Sequence, residues 1–192
     1  MMERYRDYVL ECNQFIPIRV NVGLLVLFCL GSVMLLAQFG YKIGSKWSTR
    51  LLLGEFLFWL VALTVLFRPA LDVRMFDFNP FWSYRAVKAG NGLILTQIIM
   101  NMVAFIPIGF LLGCSFRKMK WWKVALFAAI FSFLIETLQF VTKRGFAEFD
   151  DVFHNVIGCL IGYGLYMVLS FLIRSISTSK LVVHKKETSQ QY

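Results

Sequence analysis

Charge is scarce in this sequence of 192 residues: Asp, Glu, Lys and Arg make up 16% of it, while 58% is hydrophobic and 17% aromatic. A soluble domain has about 25% charged and about 45–50% apolar residues, so both departures point towards lipid. Acid is scarcer still, with 11 Asp and Glu against 20 Lys and Arg, a formal net charge of +9. That excess lies in loops beside apolar runs, and no basic stripe interleaves stacking aromatics outside them. Topology and anionic lipid account for it, and nucleic acid is not an expected partner. The four cysteines, Cys12, Cys29, Cys114 and Cys159, include no C-x-x-C pair. They form neither a disulfide framework nor a zinc site, and pack as small apolar residues. No phosphate-cradling glycine loop, no G-x-S-x-G and no H-E-x-x-H occurs. No cofactor is expected, and no metal-ligand loop of known spacing is present.

What is present is a series of apolar runs, each long enough for about 30 Å of hydrocarbon. They are Val22–Phe39, Leu51–Phe67, Leu93–Cys114, Val124–Val141 and Val152–Ile173. The spacing predicts an all-α integral membrane protein, one bundle of five transmembrane helices over residues 22–173. The segment 1–21 fits an interfacial helix ending near Pro17 or a loosely ordered tail, and the run after it is read as retained rather than cleaved. Residues 174–192 form a polar, basic tail, expected to be disordered. Five spans divide the loops into two sets. One carries 9 Lys and Arg with 8 acids; the other carries 11 with a single acid, Glu187. The positive-inside rule places the second set in the cytoplasm, so the N-terminus is out and the C-terminus in.

Several local features carry expectations. Pro107 predicts a kink or break in the third span. Glu55, about one turn inside the second, is read as a carboxylate at a helix N-terminus. Phe76, Phe78, Phe81, Trp82 and Tyr84, in the connection 68–92, suit the headgroup level. On the last run Asp151, Asn155, Gly158 and Gly162 share one helical stripe, and the two glycines make a G-x-x-x-G pair.

The functional signal is polar. Asn101, Glu136, Gln139, Arg144, Glu148, Asp150, Asp151 and Asn155 gather towards one end of their runs. Ionisable groups in hydrocarbon are costly and mark function by default. For Asn101 and Asn155 alone, interhelical hydrogen bonding is explanation enough. Glu136, Arg144, Asp150 and Asp151 are more charge than packing requires. Three readings stay open: acid–base chemistry with Glu136, Asp150 and Asp151, an oxygen-rich divalent-cation site, or a headgroup or peptide site without chemistry. Arg144 is expected to pair with one of these carboxylates, beneath the outer headgroups. His154 is read as a satisfied interfacial histidine.

Ordered motifs in this region resemble the VanZ-like family of membrane proteins. They are the run from Asn101 through Pro107 and Gly109, Glu136-Thr-Leu-Gln139, and Arg144 followed by Asp150-Asp151 and Asn155-Val-Ile-Gly158. Phe78-Asn79-Pro80-Phe81 is similar to a further family segment. Asp77 stands where that family usually has asparagine, and Glu148 where it often has aspartate. The resemblance covers about residues 50–170. It implies a protein of a Gram-positive-type cell membrane associated with low-level resistance to teicoplanin, a lipid-tailed glycopeptide. Partners would then be membrane lipids and either the lipoglycopeptide or a lipid-linked cell-wall precursor. A non-enzymatic binder is the first expectation, and an enzyme modifying a lipid-linked envelope precursor the second.

Overall fold

The computed structural model describes residues 46–116 and 118–189. The expected span Val22–Phe39 and the segment 1–21 lie outside these residues. Helix α1, Lys46–Val61, runs into a π-helical turn, Ala62–Leu66. A strand β1, Met75–Asp77, and a short helix α2, Trp82–Lys88, follow. Then come α3, Gly92–Ser115, α4, Trp121–Thr142, strand β2, Phe146–Glu148, and α5, Phe149–Ser189. Four stretches are long and apolar enough to cross a membrane: Thr49–Leu66, Gly92–Ser115, Trp121–Thr142 and Phe149–Ile173. At 1.5 Å per residue, even 18 residues reach about 27 Å. The described part is thus an all-α membrane bundle with four candidate spans.

The bundle is built on α3 against α5, with α4 packed on α5 and α1 on α3. Its core includes Leu53, Leu60, Phe105, Ile108, Leu112, Val124, Ile135, Cys159 and Tyr163. Leu126, Ile130, Phe133, Leu134 and Leu138 on α4, with Leu165, Val168 and Phe171 on α5, face outward. An apolar exterior of this kind is what hydrocarbon demands. The two glycines of α5 act as the motif suggests. A methyl group on Gly158 would overlap the carbonyl of Met102, and one on Gly162 that of Ile106. Gly109 answers from α3, where a methyl would strike the carbonyl of Cys159. Backbone lies against backbone along this seam, which small residues alone permit.

Several local expectations change. α3 is helical without a break across Pro107; its tight seam with α5 on either side holds it where one backbone hydrogen bond is missing. α1 begins at Lys46, so Glu55 lies more than two turns inside it and is exposed, beyond the first-turn dipole field. The tail is helical to Ser189 rather than disordered. No glycine or proline follows Gly164 before that residue to stop the helix.

The parallel pair β1–β2 was not foreseen. Met75, Phe76 and Asp77 stand opposite Phe146, Ala147 and Glu148. Each strand is three residues long, too short for periodicity to reveal. The pair joins the α1–α2 connection to the α4–α5 connection, so both close over the same end of the bundle. Lys143 strengthens the join: its carbonyl accepts from the Leu71 amide at 2.7 Å and its ammonium donates to the Asp72 carbonyl at 3.0 Å. The polar side chains are gathered under this lid of two connections.

Candidate functional site

α4 delivers Glu136 and Gln139 three residues apart on its buried face, with Ser132 one turn deeper. α5 delivers Asp150, Asp151, His154 and Asn155 in its first two turns, and β2 delivers Glu148 between them. Glu136, Glu148, Asp150, His154 and Asn155 are all buried, and 13% of the Asp151 side chain is exposed. Four acids meet in this space, so each needs a reason to be tolerated.

Hydrogen bonds supply most of the reasons. Asp150 accepts from the Phe81 amide at 2.6 Å, the Ser83 amide at 3.0 Å and the Ser83 hydroxyl at 2.6 Å. It therefore caps the start of α2 from a distant part of the chain, satisfying amides a short helix leaves unpaired. The Glu136 Oε2 accepts from the Glu148 amide at 2.9 Å, anchoring β2 to α4. The Glu148 Oε1 accepts from Gln97 Nε2 at 3.0 Å. Asn155 donates from Nδ2 to the Ser132 hydroxyl at 2.8 Å.

Burial, above all, pushes the Glu148 carboxyl up to about 9, and the field of Asp151 adds to it, with Glu136 and Asp150 behind. The bond from Gln97 opposes the shift without cancelling it. The Glu148 carboxyl is thus pushed towards its protonated form at neutral pH. The cation that acts electrostatically on Glu136 is Arg68, at the end of the π-helical turn.

The expected pair between Arg144 and a carboxylate does not form. Its guanidinium donates from Nη1 to the Leu66 carbonyl at 2.5 Å, and among the described residues no carboxylate oxygen lies within ion-pair distance. Gln139 also turns away from the acids, donating from Nε2 to the Thr64 carbonyl at 3.2 Å. The reason is the π-helical turn, whose wider bonding leaves carbonyls free at the C-terminus of α1. A guanidinium there meets both those carbonyls and the negative end of the helix dipole. Gln139 and Arg144 thus tie the π-helical turn to α4 and to the connection that follows it.

His154 is also not as expected. Its Nε2 lies 3.1 Å from the Tyr84 hydroxyl, but its Nδ1 is buried without a hydrogen-bond partner and points to the Asp151 carboxylate at 3.8 Å. Asn101 Nδ2 and Asn155 Oδ1 are likewise buried and unpartnered. Of the residues the sequence singled out, the fold brings Glu136, Glu148, Asp150, Asp151 and Asn155 to one end of the bundle. The sequence reading missed Gln97, Ser83, Tyr84, Ser132 and Arg68. Gln97 stands one turn before Asn101 and was legible from that spacing. Ser83 and Tyr84 were hidden among aromatics that read as interfacial anchors. Among the described residues no three His, Cys, Asp or Glu side chains are placed to hold a metal ion, so the divalent-cation reading finds no ligand set here.

Comparison with known proteins adds a family. The family model described as VanZ/LLP1 matches residues 24–171. This match begins well before residue 50 and takes in most of the first expected span. Protein VanZ of Enterococcus faecium is 31% identical over 70 residues, covering 36% of this chain and 44% of that protein. The match therefore spans less than half the length of that curated relative. No solved structure matches the chain significantly.

Proposed function

The chain belongs to the VanZ/LLP1 family, and from that premise we propose that it lowers susceptibility to lipid-tailed glycopeptides of the teicoplanin type. It would do so at the outer leaflet, by binding or excluding the drug or by masking a surface component. The observation that carries this reading is the surface over the polar end of the bundle. Phe76, Phe78, Phe81, Phe149 and Phe153 are exposed there around Tyr84 and Asp151, so apolar rings and an anionic group stand at one depth. That combination suits an amphiphile with its tail in the bilayer and a polar head above it. The orientation rests on Lys118, Lys120 and Lys123, in the connection between α3 and α4 at the opposite end of the bundle, read as cytoplasmic. An impermeant thiol reagent on intact cells should label a single cysteine placed in 142–151 and spare one in 115–123, in a background without the native cysteines.

One observation favours the second reading, an enzyme acting on a lipid-linked envelope precursor. A Glu148 carboxyl pushed towards its protonated form in the field of Asp151 is the arrangement that general acid–base catalysis uses. Amide substitutions separate the two. Glu136→Gln and Asp151→Asn cannot exchange a proton but keep shape and one acceptor. A binder should retain much of its protective effect in both variants at equal membrane abundance. Complete loss in both, with normal insertion, would move the assignment to the enzyme.

A further inference from the structure

Of the acids in the four candidate spans, Glu55 alone is exposed. It lies nine residues beyond Lys46, about 13 Å along α1 at 1.5 Å per residue, so it faces the depth where hydrocarbon would be. Among the described residues no hydrogen bond or ion pair reaches it, and Arg50, the cation nearest to it in sequence, lies over the Phe116 ring instead. A carboxyl turned towards lipid with no partner is costly, so a covering element is required. The residues beside it describe that element. Leu51, Gly54, Glu55 and Phe58 stand at helical steps of three, one and three, which puts them on one face, and Leu51 and Phe58 are 73% and 61% exposed. A methyl group on Gly54 would meet nothing within 4 Å. Glycines of the α3–α5 seam admit a neighbouring backbone; Gly54 offers the same approach, and no described residue takes it.

The chain outside the described residues carries a matching face. In the apolar segment 22–39, Phe28, Gly31, Ser32 and Leu35 follow the same steps of three, one and three, with the same order of large, glycine, polar and large. Only residues 40–45 join that segment to α1, and a connection so short makes consecutive spans antiparallel neighbours. With the two ends of the connection level, Gly31 and Gly54 each stand eight residues away from it, from Phe39 and from Lys46. They therefore share one depth, about 12 Å from that end. Phe28 then comes level with Phe58, and Leu35 with Leu51, to within one residue. Ser32 and Glu55 each follow their glycine by one position. Two right-handed helices running in opposite directions turn that next position to the same flank of their contact, so hydroxyl and carboxyl meet there. The family match begins at residue 24, which makes this segment part of the family's own unit.

We propose that the face of α1 formed by Leu51, Gly54, Glu55 and Phe58 is the docking surface for the segment 22–39 of the same chain, with Gly31 against Gly54 and the Ser32 hydroxyl on the Glu55 carboxyl. Glycine on both sides lets the backbones approach closely, and the hydroxyl gives the carboxyl the partner that lipid cannot supply. Glu55 is then the polar contact that holds a fifth span to the bundle. This interface does not depend on the glycopeptide reading, since it lies on the outer side of α1, away from the buried acids.

The test is cysteine cross-linking of the full chain in membranes, in a background without the native cysteines. Leu35→Cys is combined with Leu51→Cys on the docking face, and separately with Leu52→Cys, which packs towards the core instead. Phe28→Cys with Phe58→Cys is a second pair on the face, so one poorly folding variant does not decide the matter. After oxidation with copper phenanthroline, a polyethylene-glycol maleimide added under denaturing conditions counts the remaining thiols, while the gel reads chain mass. Both face pairs should lose most of their maleimide shift at monomer mass, about tenfold more than the Leu52 pair in the same oxidation. Disulfide-linked dimers from Leu51→Cys or Phe58→Cys alone would put a second copy of the chain on this face and overturn the proposal. Equal cross-linking of the Leu51 and Leu52 pairs, or none in either face pair, would do the same. Thermal unfolding tests the polar contact: Ser32→Ala should lower the midpoint of the otherwise native chain and leave that of Glu55→Leu where it is. An equal change in both backgrounds, or none in either, shows that hydroxyl and carboxyl do not meet.

Discussion

Replacing Asp150 by asparagine should release α2 from the bundle. The native carboxylate takes three hydrogen bonds, two from amides and one from the Ser83 hydroxyl, in a buried position. Asparagine with its oxygen in the Oδ2 place keeps both Ser83 bonds but turns a donor towards the Phe81 amide, so one bond of the three is lost and the other two no longer have a charged acceptor. Hydrogen bonds to a charged acceptor contribute about 1.5–3 kcal/mol each, and water entering the opened site recovers part of that. A loss of about 3 kcal/mol is reasonable, which corresponds to roughly a hundredfold more frequent local opening. Hydrogen exchange of the segment 78–90 in nanodiscs reads this directly, with the α4 amides as an internal reference. Ser83→Ala removes only the hydroxyl contact, so about 1 kcal/mol and a few-fold faster exchange should follow. Unchanged protection of 78–90 in Asp150→Asn would refute the reasoning, because the cap would then contribute nothing to docking.

Three further outcomes follow from the same geometry. Gly162→Ala puts a methyl on the Ile106 carbonyl and should lower bundle stability by about 1–3 kcal/mol, whereas Gly164→Ala meets nothing within 4 Å and should be neutral or slightly stabilising in detergent unfolding. Glu148 is raised from 4.5 to about 9. Its contribution is then fully present below about pH 4.5 and is lost as pH rises towards 9, by up to about 1.4 kcal/mol per pH unit. Glu148→Gln should flatten that decline between pH 5 and 9, seen in unfolding midpoints measured across the range. Arg144→Lys should cost less than about 1 kcal/mol, because a single bond to a carbonyl does not require the guanidinium fork; thermal unfolding that shows a loss as large as Arg144→Ala would restore an ion-paired role.

The close-contact face of α5 was legible because glycine spacing and helix period are local properties of the chain; that α3 is what packs on it was not. The stripe Asp151, Asn155, Gly158, Gly162 was readable for the same reason, and so was the pairing of Glu136 with Gln139 on one face. What escaped depends on partners distant in the chain. Asp150 and Ser83 are 67 residues apart, and no local pattern couples a capping acid to a helix it does not belong to. Arg144 was assigned by proximity in sequence to acids, but the π-helical turn of α1 offered carbonyls that no charge pattern announces. His154 looked ordinary alone, and meets Tyr84 only because α2 folds over the start of α5. Glu148, set down as one acid among several, lies buried in the strand pair, and that burial, which no local pattern shows, pushes its carboxyl up.

The most direct test of the functional account is drug susceptibility in a host expressing this chain, measured with an acylated glycopeptide and with the same glycopeptide lacking its lipid tail. Membrane abundance of the protein is matched across cultures. The account predicts that the inhibitory concentration rises for the acylated drug and stays at the empty-vector level for the core without a tail. No rise for the acylated drug, or an equal rise for both, would contradict it.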